Sequence, residues 1–116
     1  MTYLNRYSAE IKRVCALHHV KTLYAFGSVV GDQLTNTSDV DFIVDFNTID
    51  LDHYADNYFD LKFSLQEIIK RPIDLIEEKA IKNPFFKQVV TSQRELVYGQ
   101  SWISIYPFLR SKYSSS

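Results

Sequence analysis

Residues 39–46, Asp39-Val40-Asp41-Phe42-Ile43-Val44-Asp45-Phe46, alternate strictly. Val40, Phe42, Val44 and Phe46 point one way; Asp39, Asp41, Ile43 and Asp45 point the other. Period-two alternation with β-branched and aromatic residues predicts a strand with one face on a core. The cost lies on the opposite face, where residues two apart are about 6.6–7 Å apart at Cα. Carboxylates at about 5 Å, with an effective dielectric near 20, repel by about 3 kcal/mol before solvent screening lowers the figure. A divalent cation between Asp39 and Asp41 is the natural way to offset that repulsion.

Ten residues upstream stands Gly27-Ser28, at the end of an apolar run, Thr22-Leu23-Tyr24-Ala25-Phe26. Glycine there permits a tight turn and a close ligand approach. Ser28 begins a turn or short helix whose N–H groups and hydroxyl suit phosphate oxygens. Phosphate beside Gly27-Ser28 and metal on Asp39 and Asp41 is a layout suited to moving a nucleotidyl group.

Gly27-Ser28, ten residues, then Asp39-Val40-Asp41 resembles the Gly-Ser-x10-Asp-x-Asp signature of the polymerase-β-like nucleotidyltransferase superfamily. The small size is similar to its minimal members, the MNT antitoxins of HEPN/MNT toxin–antitoxin modules, and the resemblance covers about residues 10–99. It implies Mg2+, ATP as co-substrate, a third acid on a later strand, for which Asp74 in Pro72-Ile73-Asp74-Leu75-Ile76 is the candidate, and AMP transfer to a tyrosine of a HEPN toxin. Catalytic and metal duty then falls on Asp39, Asp41 and Asp74, and nucleotide binding on Gly27 and Ser28. The chain departs from the family after Ser28: Val29-Val30-Gly31-Asp32 places no Arg or Lys beside the phosphates, leaving Lys21, Lys62 or Arg71 as basic substitutes. That departure motivates the alternative of a weak or inactive binding module that neutralises its partner by contact. Transfer to a small molecule is a third option, with little chain left for a second substrate domain.

The 116 residues suit one domain, residues 1–99, with residues 100–116 as an apolar tail that either packs on a partner or lies on its own domain. A net charge of −1 gives broad nucleic-acid binding no support, and no apolar run is long enough to span a bilayer. The single Cys15 excludes an internal disulfide, and the expected location is cytoplasmic.

The order of elements predicts an α/β (α+β) fold, a small mixed sheet covered by helices. Met1–Tyr7 carries no pattern. Ser8 is expected to cap a helix to about His19, burying Ile11, Val14, Cys15 and His18. Cys15 and His18 read as core rather than as a metal pair; His19 and His53 read as surface. Val29–Leu34 is expected to be helical, and Asp50 to cap a helix to about Lys70. On that helix Tyr54, Tyr58, Leu61, Leu65, Ile68 and Ile69 form a stripe, with Phe59 and Phe63 beside it; core, or core plus a partner or adenine surface, both remain open. Ile73–Ile76 is expected to be a strand, where Asp74 is either a metal ligand or a strand-end acid paired with Arg71. Asn83-Pro84 opens a last helix, expected to reach about Tyr98, bury Phe86, Val89, Val90, Leu96 and Val97, and stop at Gly99.

Overall fold

In the computed structural model, which describes residues 2–31, 35 and 39–99, four strands form one sheet in the order β3-β2-β1-β4. The elements are α1 (Thr2–Asn5), α2 (Ser8–Leu17), β1 (Val20–Phe26), β2 (Val40–Phe46), α3 (Leu51–Ile69), β3 (Ile73–Glu77), α4 (Pro84–Gln93) and β4 (Glu95–Tyr98). Single 3-10 turns follow β1 (Gly27–Val29) and β3 (Glu78–Ala80). β1 runs antiparallel to β2 and β4, whereas β2 and β3 are parallel, joined through α3. Parallel neighbours require such a crossover, and its helix has to lie on the sheet. The result is the expected mixed sheet with helices.

The alternation in β2 sorts its side chains as the sequence predicts. Val40, Phe42, Val44 and Phe46 join the main core with Leu61, Leu65 and Ile69 of α3 and Ile11, Val14 and Cys15 of α2. Ile43, on the other face, meets Tyr24 of β1 and Val90 of α4 in a second, smaller cluster. Thus α2 and α3 cover one face, and α4 covers part of the other. Burial pushes the Cys15 thiol up to about 12, so it is an inert core group. His18 Nδ1 lies 2.7 Å from the Val14 carbonyl oxygen, and His19 and His53 are exposed.

Several local expectations are corrected. α1 occupies part of the featureless lead-in. Ser8 is the first residue of α2 rather than its cap; Tyr7 holds the cap position, and the helix ends at Leu17. Asp50 stands at the cap of α3 but its side chain makes no capping hydrogen bond. Residues 32–34 fall outside the described residues, and of the helix expected over Val29–Leu34 the structure shows only the turn Gly27–Val29.

The largest correction concerns the last helix. α4 stops at Gln93, Arg94 is extended (φ −84°, ψ 152°), and residues 95–98 form a strand on the open edge of β1. Pairing satisfies backbone groups that an exposed edge would leave open, a non-local gain that outweighs continued helical hydrogen bonding. Only Val90 of the expected helical residues is fully buried; Phe86 and Val89 are exposed, and Leu96 and Val97 are half-buried on β4. Gly99 is not a helix stop. It follows β4 at φ +92°, where an added Cβ would come within 2.2 Å of the Lys21 carbonyl oxygen. Residues 100–116, the expected tail, lie outside the described residues.

Asn83 does cap α4: its Oδ1 accepts from the N–H groups of Phe85 and Phe86 at 2.9 and 3.1 Å. Asn83→Ala is therefore expected to lower stability by about 0.5–2 kcal/mol in urea unfolding. Asp50→Ala, which removes no capping bond, is expected to cost less than about 0.5 kcal/mol in the same measurement.

Candidate active site

Three strands bring the site together through their register. Asp41 on β2 is the partner of Asp74 on parallel β3, and of Phe26 on antiparallel β1. Side chains at paired positions share a face, so Asp41 and Asp74 stand side by side at the roughly 4.8 Å spacing of adjacent strands. This face is the one that carries Ile43, Ile76 and Phe26. Asp39 lies just before β2, exposed and two residues from Asp41. A hydrogen bond from the Val40 N–H to the Pro72 carbonyl oxygen, 3.1 Å, ties the entries of β2 and β3 together at this end.

The fourth participant is the turn after β1. Gly27 has φ +83°, and an added Cβ would lie 2.8 Å from Asp41 Oδ2. The bare Cα therefore serves twice: it takes a left-handed backbone angle and leaves room for the carboxylate. The Val30 N–H closes the turn onto the Gly27 carbonyl at 3.0 Å. Ser28, half-buried, is the second residue of this turn.

Electrostatics mark Asp41 as the strained member. Its carboxyl is pushed above the ordinary value of 3.8, first by partial burial and then by the charges of Asp74 and Asp39. The charges of Asp74 and Asp39 thus both act on the Asp41 carboxyl. Hard carboxylate oxygens on two strands are a donor set suited to Mg2+. Among the described residues, no three His, Cys, Asp or Glu side chains already stand in coordination geometry. A cation there would offset both the burial of the Asp41 charge and its repulsion by Asp74 and Asp39.

The basic candidates separate clearly. Lys21 sits at the far end of β1 from Gly27, and Lys62 belongs to α3, on the opposite face. Arg71, just before β3, is at the correct end; its Nη1 donates to the Thr35 carbonyl at 2.7 Å, and its guanidinium lies over the Tyr3 ring. Sequence reading missed Arg94, on the acid-bearing face: it covers the Tyr24 ring at 3.9 Å and pairs with Glu78 at 2.7 Å. Nothing in its local sequence signals that placement, because β4 was needed to set it. A separate concavity of about 210 Å³, lined by Asp45, Tyr54, Glu77 and Lys79 among others, lies at the other end of β2. It contains none of the three acids, and the chemistry of the carboxylates and the Gly27 turn outweighs its better-defined shape.

Two outcomes follow from this geometry. Gly27→Ala is expected to displace the Asp41 carboxylate and abolish most nucleotidyl transfer, while circular dichroism stays near that of the parent. For Asp41, the folded state holds a proton more tightly than the unfolded chain, so stability falls as pH rises from 3.8 through the raised folded value. Asp41→Asn is therefore expected to raise Tm by a few degrees at pH 7 in EDTA, with the gain gone near pH 3; a lower Tm at pH 7 would contradict this.

Comparison with known proteins agrees with the geometry. Residues 9–102 match the polymerase beta nucleotidyltransferase family. Two Methanocaldococcus jannaschii proteins, provisionally named protein adenylyltransferases MJ1379 and MJ0128, are 30% and 31% identical over 98 residues, each covering 78% of this chain and 95% of the relative. A solved structure described, also provisionally, as a minimal nucleotidyltransferase superposes with TM-score 0.68 at 22% identity, over 79% of this chain and 90% of the other. A Shewanella oneidensis complex of a tri-AMPylated HEPN toxin with its MNT antitoxin matches with TM-score 0.59 at 18% identity, over 96% and 92% of the two chains. No described helix is long and apolar enough to cross a membrane. The chain belongs to the polymerase beta nucleotidyltransferase family, and its four-stranded fold is like that of a minimal nucleotidyltransferase.

Proposed function

We propose that the chain is a Mg2+-dependent enzyme that transfers AMP from ATP to a tyrosine of a HEPN-type toxin, acting in the cytoplasm as that toxin's antitoxin within a hetero-oligomer. The observation that carries the reading is the in-register placement of Asp41 beside Asp74, with Gly27 opened to admit the Asp41 carboxylate. Similarity to relatives named as protein adenylyltransferases, and to an antitoxin solved with an AMPylated toxin, supports the choice of nucleotide and acceptor.

Asp39, Asp41 and Asp74 would hold the magnesium. When bound, it supplies positive charge to the triphosphate and lowers the pKa of the attacking hydroxyl. Ser28 and the backbone N–H groups of the turn orient the phosphates. Asp74, exposed near the start of its strand, would either share in holding the ion or accept the phenolic proton. The tyrosine oxygen forms a bond to the α-phosphorus while the bond from that phosphorus to the α,β-bridging oxygen breaks, and pyrophosphate leaves with the electron pair. Burial, and then the charges of Asp74 and Asp39, raise the Asp41 carboxyl in the metal-free chain; it has to be ionised to hold the ion, so Mg2+ binding weakens as pH falls through that raised value.

A second reading, neutralisation by contact without transfer, is favoured by the absence of a basic residue in Val29-Val30-Gly31-Asp32. Intact-mass measurement of the co-expressed toxin separates the two. One or more added AMP masses are expected with the parent chain and none with Asp39→Asn or Asp41→Asn, each variant losing at least about 100-fold in rate. Toxin bound and silenced at its unmodified mass would favour contact alone.

A further inference from the structure

Asp74 stands on the outermost strand of the sheet, and the backbone on either side of it is held in an unusual way. β3 is five residues long and, among the described residues, pairs with β2 alone. Ile73 and Leu75 are buried in the main core with α3, while Asp74 between them is exposed on the other face. Any roll of this strand about its own axis would therefore swing Asp74 relative to Asp41. Pairing with β2 holds only the inner edge. On the outer edge, two side chains of α3 bond to the residues that flank Asp74. Gln66 Oε1 accepts from the Ile73 N–H at 3.3 Å, and the Tyr58 hydroxyl donates to the Leu75 carbonyl.

We propose that Tyr58 and Gln66 are positioning residues for Asp74, fixing the roll of β3 so that the Asp74 carboxylate stays beside that of Asp41. The proposal rests on the AMP-transfer reading and adds two residues outside the site that the reaction needs. Backbone groups on an open strand edge can bond to water at little cost, so stability alone does not call for side chains at both flanking residues. Catalysis does, because a reacting group displaced by about 1 Å can lose about 100-fold in rate. Burial, then the charges of Asp74 and Glu77, raise the Tyr58 phenol, so it remains a protonated donor to Leu75 at neutral pH. Tyr54, one turn earlier on α3, supplies the contrast. Its hydroxyl bonds to the Glu77 side chain at the end of the strand, not to the backbone beside Asp74.

Tyr58→Phe keeps the ring on the core and removes only the hydroxyl, and Gln66→Met keeps the side-chain length without the amide oxygen. Tyr54→Phe is the control. Rates are measured with saturating Mg2+-ATP and the cognate HEPN-type toxin, at a temperature where every variant is folded by circular dichroism. In Tyr58→Phe and in Gln66→Met, kcat is expected to fall at least roughly tenfold while KM for the toxin is unchanged. Tyr54→Phe is expected to keep kcat within about twofold even though its Tm falls. Parental kcat in both Tyr58→Phe and Gln66→Met, or an equal loss in Tyr54→Phe, overturns the proposal. A crystal structure of the Tyr58→Phe/Gln66→Met double variant reads the same claim without transfer. The Asp74 carboxylate is expected to lie about 1 Å or more from its parental place beside Asp41, and an unmoved carboxylate overturns the proposal. If the parent transfers no AMP, the transfer reading fails, while this structure still decides whether the two residues place Asp74.

Discussion

Everything at the candidate site depends on the parallel pairing of β2 with β3. That pairing puts Asp41 beside Asp74 and leaves their charges to repel across one strand spacing. A fold selected for stability alone would place an apolar or neutral residue at one of the two positions. The second core cluster shows that this face accepts apolar side chains, since Ile43 and Ile76 form the next pair along the same strands. The acids occupy the end of the face that α4 leaves uncovered. Burial partly desolvates Asp41, and the neighbouring charges add to it, so the folded chain carries a local instability of the kind that marks functional sites.

The rest of the molecule can be understood as the frame that keeps this pair in register. α3 crosses over from β2 to β3, and its Leu61, Leu65 and Ile69 are fully buried against the sheet. The Tyr58 hydroxyl of the same helix donates to the Leu75 carbonyl of β3, one residue from Asp74. At the other end of the helix, Gln66 Oε1 accepts from the Ile73 N–H at 3.3 Å. These contacts fix β3 from its outer side, where no further strand among the described residues pairs with it. β1 is held between β2 and β4, which sets where Gly27 turns relative to the Asp41 carboxylate.

Much of this was legible in the sequence because it is local. The alternation of residues 39–46 sorted two faces, and both appear as read, with Phe42 fully buried and Asp41 on the other side. The ten-residue separation of Gly27-Ser28 from Asp39 pointed to one site, and the carboxylate of Asp41 does lie over Gly27. What was not legible is non-local. Leu96 and Val97 continue the helical spacing of Val89 and Val90 seven residues on, so they read as helix; only the open edge of β1 makes them strand. The same edge fixes Gly99 and brings Arg94 over Tyr24. Ser8 and Asp50 have the residue types of caps, yet cap geometry depends on how the chain enters each helix. Nothing local assigned partners to Ile43, because Tyr24 and Val90 come from distant segments.

The central claim is that the acids of two parallel strands act together on a divalent ion next to the Gly27 turn. Crystals grown with Mn2+ and a non-hydrolysable ATP analogue test it most directly, by anomalous scattering. The expected result is manganese density bound by Asp39 and Asp41, within reach of Asp74, with phosphates against Ser28. Manganese bound only at other carboxylates, such as Asp45 and Glu77 at the far end of β2, with the three acids bare beside the bound nucleotide, would contradict it.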